Sequence, residues 1–367
     1  MDGFAAGERL AAKLTFRLEL NLEQVTFKGA AAMGNLTRDF FISLSNNKIL
    51  NANAKKWGFR LGAEKFVAGI DIDSVVETVK EINAHGISCT LDNLGEFVYE
   101  IEEAAFAKAE ILSVLDKIHE ENLDCHVSLK LTQIGLDIDR EYCIKNMVEI
   151  LEKAGSYNIF INIDMEKYIH YEKTLEILEV LRQKFDNIGT VIQTYLYRAE
   201  DDLKQLQDVR IRMVKGAYKE SEAVAFQSKE DIDANFIKLA KGRLLGDAFT
   251  SIATHDHRII NEMKAFVKEN NIRKDKFEFQ MLYGFRTEMH SELRQEGYKF
   301  CTYIPFGTDW FGYFMRRLAE RPQNLNLVMK DVFYTKENKL KKSPIITGAA
   351  AFSLFVLWRK KRNKKLV

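Results

Sequence analysis

"IFINIDM" (159–165), "EKTLEILEVLRQKF" (172–185) and "IGTVIQTY" (188–195) succeed one another closely, and their reading decides the fold. The first and third are short and almost continuously apolar, as strands buried on both faces of a sheet are. The middle segment is charged, with apolar residues at spacings of three and four, the pattern of an amphipathic helix. Strand, helix and strand in that order make a βαβ unit, whose two strands run parallel.

The alternation extends in both directions. Further strand-like runs are "ISCTLD" from 87, "HVSLKLT" from 126, "RIRMVKG" from 210, "AFTSIAT" from 248, "FEFQML" from 277 and "KFCTYIP" from 299. Eight such runs separated by helical segments predict an α/β fold, a (β/α)8 barrel. A doubly wound sheet is the alternative, but no GxGxxG follows the first strand. Residues 1–37 precede the alternation as a variable N-terminal arm, with a helical segment from Arg38 to Gly69 leading into the barrel. The barrel domain is expected over 38–335, and 336–367 form a C-terminal extension.

The chain has 367 residues, 46% hydrophobic and 29% charged, an ordinary globular composition. A formal charge of +1 supplies no global field to attract nucleic acid. Four cysteines show no ligand spacing, and Cys89, Cys125 and Cys301 lie in apolar runs, so buried thiols in a reducing compartment are expected. The N-terminus has early acids and no apolar run of signal-peptide length, which predicts a cytoplasmic protein. The tail differs: Ile345 to Trp358 carries no charge and is followed by "RKKRNKK". That run is shorter than the about 20 residues of a spanning helix. It suits a peripheral contact with the inner face of the cell membrane, or a terminal helix with a solvated basic end.

"RMVKGAYKE", Arg212 to Glu220, places two cations three residues apart in an apolar run. A buried charge costs several kcal/mol unless it is partnered, so something negative or electron-rich must lie there. Reactive residues of such barrels come from the C-terminal strand ends. Those ends carry Asp92 and Glu96, Lys130, Asp164 and Glu166, Gln193 with Tyr195 and Arg198, Arg212 with Lys215 and Tyr218, Thr254 and His255, Glu278 and Gln280, and Tyr303. Singly, each could be a satisfied core polar group. Together they mark a site for a charged ligand. Beyond strand eight, Arg316 and Arg317 lie four and three residues before Glu320, close enough on a helix for one carboxylate to brace both. Such a pair suits bidentate capture of a carboxylate, or is a surface ion-pair network.

"RMVKGAYKE", "EFQMLYG" and "YIPFGTDWFGYFMRRLAE" together resemble proline dehydrogenase, and "IQTYLYRAEDDL", "SLKLTQIGL" and "INIDMEK" fit the same family in order. The resemblance covers Arg38 to Phe333 and is to the short, monofunctional bacterial type. It implies a barrel holding FAD and oxidising L-proline to Δ1-pyrroline-5-carboxylate by hydride transfer from C5 to flavin N5. Electrons then pass to quinone in the respiratory chain. By the same resemblance Arg212 lies at the N5 edge and Lys215 reaches the phosphates. Gln193 bonds the isoalloxazine, and Tyr218, Thr254 and His255 enclose the cofactor. Arg316, Arg317 and Lys130 take the substrate carboxylate, with Glu320 as brace. Asp164 pairs with Lys130 near the substrate, Tyr303 closes over the pyrrolidine ring and Leu282 offers apolar contact. Asp164, Arg212 and Tyr303 are thus the expected catalytic set, with no metal. Lys219 stands where many members have tryptophan, so no contact by that tryptophan carries over.

Three other readings remain open on residues alone. Lys130 or Lys215 could be the nucleophile of a Schiff-base lyase. The histidines of "HDH", His255 and His257, form too small a cluster for a metal-dependent hydrolase. A non-enzymatic, membrane-tethered ligand-binding protein is the third.

Overall fold

A computed structural model of the chain describes residues 41, 43–45 and 63–320. Eight parallel strands close into one barrel in sequence order. They are β1 (Ser88–Asn93), β2 (Cys125–Leu129), β3 (Ile161–Ile163), β4 (Ile188–Gln193), β5 (Ile211–Val214), β6 (Thr250–Ala253), β7 (Phe277–Leu282) and β8 (Lys299–Phe306). Each expected strand-like run overlaps one of them, with β1, β2 and β8 reaching one residue beyond their runs. Helix α1 (Asp73–Ala84) precedes β1. Seven more connect successive strands: α2 (Ile101–Glu120), α3 (Arg140–Ser156), α4 (Tyr168–Leu181), α5 (Ala199–Gln205), α6 (Lys229–Leu244), α7 (His257–Glu269) and α8 (Thr287–Gln295). After β8 comes α9 (Trp310–Glu320). The barrel forms one compact unit, Ala63–Trp310, while Phe311–Glu320 belongs to a second.

Side chains alternate across each strand, and the two faces carry different chemistry. Leu91, Leu129, Ile163, Ile192, Met213, Ile252, Phe279 and Ile304 are all fully buried in the hydrophobic core. Burying one such side chain stabilises by about 1.5–3 kcal/mol. The inner face is polar instead. Arg212 on β5 donates to Thr90 on β1 and Ser128 on β2, strands that are not its neighbours in the barrel, so these bonds cross the interior. Toward the other end, Arg210 stacks on Phe160 and Phe249 and reaches Glu278 at 3.4 Å. Glu278 therefore sits low in the barrel rather than at the mouth, where the strand-end reading grouped it.

Three helices begin at the C-terminal rim with side-chain caps. Asp139 accepts from the Tyr142 N–H, Ser228 from Asp231 and Asp256 from Arg258. A cap of this kind is worth about 1 kcal/mol, and each fixes where a rim loop ends. The four cysteines are free thiols; Cys89, Cys143 and Cys301 are buried and Cys125 partly so. The apolar-basic tail and the N-terminal arm, 1–37, lie outside the described residues, as does most of the segment from Arg38 to Gly69. No helix among the described residues is long and apolar enough to cross a membrane.

Candidate active site

The centre of the mouth is a pair of ion pairs joined by a phenol. Arg212 Nη1 lies 2.6 Å from Asp164 Oδ1. Lys130 Nζ lies 3.0 and 2.9 Å from the two oxygens of Asp92. Between them the Tyr303 hydroxyl is 2.6 Å from Asp92 Oδ2 and 2.7 Å from Asp164 Oδ2. Asn162 also donates to Asp164 Oδ1, at 3.0 Å. Asp92, Lys130, Asp164 and Arg212 are all buried, so each charge depends on its partner. The Arg212 guanidinium lies 5.1 Å from the centre of the Tyr303 ring, a cation–π contact.

Burial lowers the Lys130 ammonium, but the carboxylates of Asp92, Asp164 and Glu96 outweigh it and hold it above its ordinary value. Burial first, then Asp164 and Asp92, push the Tyr303 phenol well above its usual range, so it keeps its proton. One expectation is corrected here: Lys130 pairs with Asp92, not with Asp164. In the β1–β2 register Asp92 lies opposite Ser128, two residues before Lys130 on the same face. The Asp164 carboxylate is already taken by Arg212 across the barrel.

A second ionic cluster lies where β5 and β6 end. Lys215 Nζ is 2.5 Å from Asp233 and 3.3 Å from Asp256. Lys229 and Arg258 also reach Asp233. Burial raises Asp233, yet Lys215 and Lys229 prevail and hold its carboxyl below the usual range. Lys215 is thus already partnered by carboxylates, which the strand-end reading did not foresee. Asp233 lies inside α6, where nothing in the local sequence marks it as a site residue. Thr254 receives the Asp256 N–H at 3.2 Å, which brings it into the same cluster. His255 Nε2 accepts the Leu282 N–H at 3.0 Å, and its ring lies 5.1 Å from Phe285. Tyr218 is half-buried and close enough to act electrostatically on Lys130.

Three inner-face polar atoms lack hydrogen-bond partners among the described residues: Arg212 Nε, Gln193 Oε1 and Gln280 Oε1. The Gln193 amide donates to the carbonyls of Met165 and Glu166, at 3.1 and 3.2 Å, which leaves its oxygen as the open acceptor. A native structure rarely leaves buried polar atoms unpaired without a ligand or water to meet them. One orphan donor on β5 beside one orphan acceptor on β4 fits the edge of a heteroaromatic ring that both donates and accepts. Under the rim, Thr132 donates its N–H and hydroxyl to Glu166 at 3.1 and 2.5 Å. It also accepts the Phe97 N–H at 3.1 Å, so loops after β1, β2 and β3 are tied together.

Arg316, Arg317 and Glu320 all lie on α9, outside the barrel unit, at the expected helical spacing. Arg317 stacks over the Tyr313 ring at 5.0 Å. The brace expected from Glu320 involves a side chain outside the described residues. Among the described residues no group of three or more His, Cys, Asp or Glu could hold a metal ion. Asp92 was named among the strand-end residues as the last acid of the first run, but neither a role nor its partners could be read there.

A closed (β/α)8 barrel whose mouth is a buried, charge-balanced polar cluster defines a barrel enzyme acting on a small charged substrate. The sequence matches the proline dehydrogenase family over residues 75–330. It is 46% identical to proline dehydrogenase 2 of Bacillus subtilis (strain 168) over 297 residues, covering 80% of this chain and 98% of that one. Proline dehydrogenase of Deinococcus radiodurans is 39% identical over 286 residues, covering 76% and 91%. The solved structure of proline utilization A (PutA) from Bdellovibrio bacteriovorus, inactivated by N-propargylglycine, superimposes with a TM-score of 0.69 at 22% identity. That match covers 83% of this chain and 38% of the larger PutA chain, and shows the shared fold. The chain belongs to the proline dehydrogenase family and is of its monofunctional type, an oxidoreductase acting on proline.

Proposed function

We propose that the chain holds FAD at the barrel mouth and oxidises L-proline to Δ1-pyrroline-5-carboxylate. The observation that carries this is the orphan pair, Arg212 Nε and Gln193 Oε1, beside the Asp164–Tyr303 contact. Held there, FAD would supply the acceptor for hydride from proline C5 and a route for the electrons to membrane quinone. Arg212, fixed by Asp164, favours negative charge developing at that ring edge. Lys215, Lys229 and Arg258 face Asp233 and Asp256, one cation in excess, which suits a pyrophosphate. Thr254, His255 and Tyr218 complete the cofactor's enclosure.

Arg316 and Arg317 take the substrate carboxylate, whose two oxygens match a guanidinium fork. Tyr303 and Leu282 shape the space for the pyrrolidine ring, and holding that ring still converts the transfer into a unimolecular step. The Schiff-base alternative needs a lysine that sheds its proton. Lys130 is held in the opposite state by Asp92 and Lys215 is engaged by Asp233 and Asp256, so neither lysine supports that reading.

The test is the visible spectrum of the purified protein before and after anaerobic addition of L-proline. Flavin bands that bleach on addition are expected. A protein that stays colourless after incubation with FAD would overturn the proposal.

A further inference from the structure

The Tyr303 hydroxyl makes two short contacts with carboxylate oxygens, 2.6 Å to Asp92 and 2.7 Å to Asp164. A phenol carries one proton and can fill only one of them. The remaining contact brings two oxygen atoms together at hydrogen-bond distance with nothing between them, which is repulsive until a second proton arrives. Both carboxylates are anchored: Lys130 bonds both oxygens of Asp92, the one facing Tyr303 included, and Arg212 with Asn162 holds the outer oxygen of Asp164. The anchors stop the carboxylates from moving apart to relieve the repulsion. Thr90 and Ser128 hold Arg212 from below, and their hydroxyls lie 2.9 Å from each other. Lys130 also feels Glu96 and Tyr218. Asp92, the middle of this arrangement on the β1 side, has no role in the function proposed above.

We propose that Asp92, Tyr303 and Asp164 form a three-oxygen proton store with one vacant position, and that this vacancy receives the proton the substrate's ring nitrogen must lose before oxidation. The inference rests on the proline-oxidising reading. In the step, one N–H bond of the substrate's secondary ammonium breaks and its electron pair stays on nitrogen. The proton forms an O–H bond inside the chain, which then holds two protons over two contacts. Lys130 and Arg212 make the filled store net cationic, so it gives the proton up to water once a neutral product has left. Asp92 is thereby a residue of the reaction and not only the counter-ion of Lys130.

Asp92→Asn tests this, because the amide can satisfy both neighbours. Its oxygen accepts from Lys130 while its N–H fills the vacancy with a hydrogen that cannot transfer. General-base contributions are typically about 10²–10⁴-fold, so kcat/KM is expected to fall about a hundredfold or more. Tyr303→Phe keeps both ion pairs and removes the bridge, which makes it the second variant. The direct readout is the time-resolved infrared difference spectrum of the flavin-loaded enzyme during anaerobic reduction by L-proline, taken before product leaves. A carboxylic-acid C=O band should appear in the parent protein and be missing from both variants. Reduction without that band, or Asp92→Asn turning over like the parent, overturns the proton store. Absence of any reduction of the parent protein by proline overturns instead the oxidation reading beneath it.

Discussion

Gly216 has a left-handed φ of +119°, and a Cβ built there would lie 2.4 Å from the ring of Tyr195. The glycine follows Lys215, two residues beyond the last residue of β5, and the Lys215 carbonyl accepts the Tyr195 N–H at 2.9 Å. The loop that presents Lys215 and Tyr218 is thus set by the absence of one methyl group. A non-glycine residue in the left-handed region costs about 1–2 kcal/mol, and Tyr195, 5% exposed, has no room to retreat. Gly216→Ala should lower Tm by several degrees or more and reduce the flavin recovered with the protein. An unchanged Tm with full flavin would show that the loop adapts.

Glu166 and His290 should give stability opposite slopes against pH. Burial pushes Glu166 up to about 7, with Thr132 opposing, from an unfolded value of about 4.3. The folded chain therefore binds more protons at this group, whose stabilisation is present below about pH 4.3 and lost as pH rises through 7. Burial lowers His290 to about 4 from about 6.5. Its contribution is present above about pH 6.5 and lost as pH falls toward 4. In the parent protein the two partly cancel. Glu166→Gln keeps one bond from Thr132, reverses the other so that the amide donates to the hydroxyl, and removes one slope, so denaturant titrations at pH 7, 5.5 and 4.5 should show a steeper loss on acidification than in the parent. Parallel curves would mean that Glu166 titrates normally.

Lys130→Met should leave Asp92 as a buried charge short of its ammonium. Breaking such a pair costs about 3–5 kcal/mol. Unfolding by denaturant should register that loss, and the KM for proline should rise with it. Adding Asp92→Asn should recover part of the stability without recovering turnover, a coupling that a double-mutant cycle reads directly. Full additivity of the two changes would show that the 2.9 Å contact carries no energy.

Arg316→Ala and Arg317→Ala should each raise the KM for proline while leaving bound flavin intact. A hydrogen bond to a charged group is worth about 1.5–3 kcal/mol, equivalent to roughly 10–100-fold in affinity. Titration of the anaerobic enzyme with proline, followed by flavin absorbance, separates the two effects. Loss of flavin would assign the arginines to the scaffold.

Removal of Ile345 to Val367 should lower recovery with membranes while sparing turnover with a soluble dye. The segment joins an uncharged run to "RKKRNKK", the combination that binds anionic lipid surfaces. Equal recovery of the shortened and full chains would dismiss the tail as an anchor.

By itself the sequence determined the barrel and named the polar residues at its strand ends. Strand and helix periods are local properties of consecutive residues, and the last polar residue of each strand run can be read wherever the run ends. Asp164, Arg212, Lys130 and Tyr303 were visible in that way. Tertiary structure alone decided who partners whom. Lys130 meets Asp92 and Arg212 meets Asp164 because barrel closure and strand register place side chains from distant segments on one inner surface. Asp233 enters the Lys215 cluster from the second turn of a helix, a position indistinguishable in sequence from any solvated acid. A buried charge needs a partner, which physical chemistry demands of the sequence; which partner it finds is a matter of ångströms, and those are set only when the barrel closes.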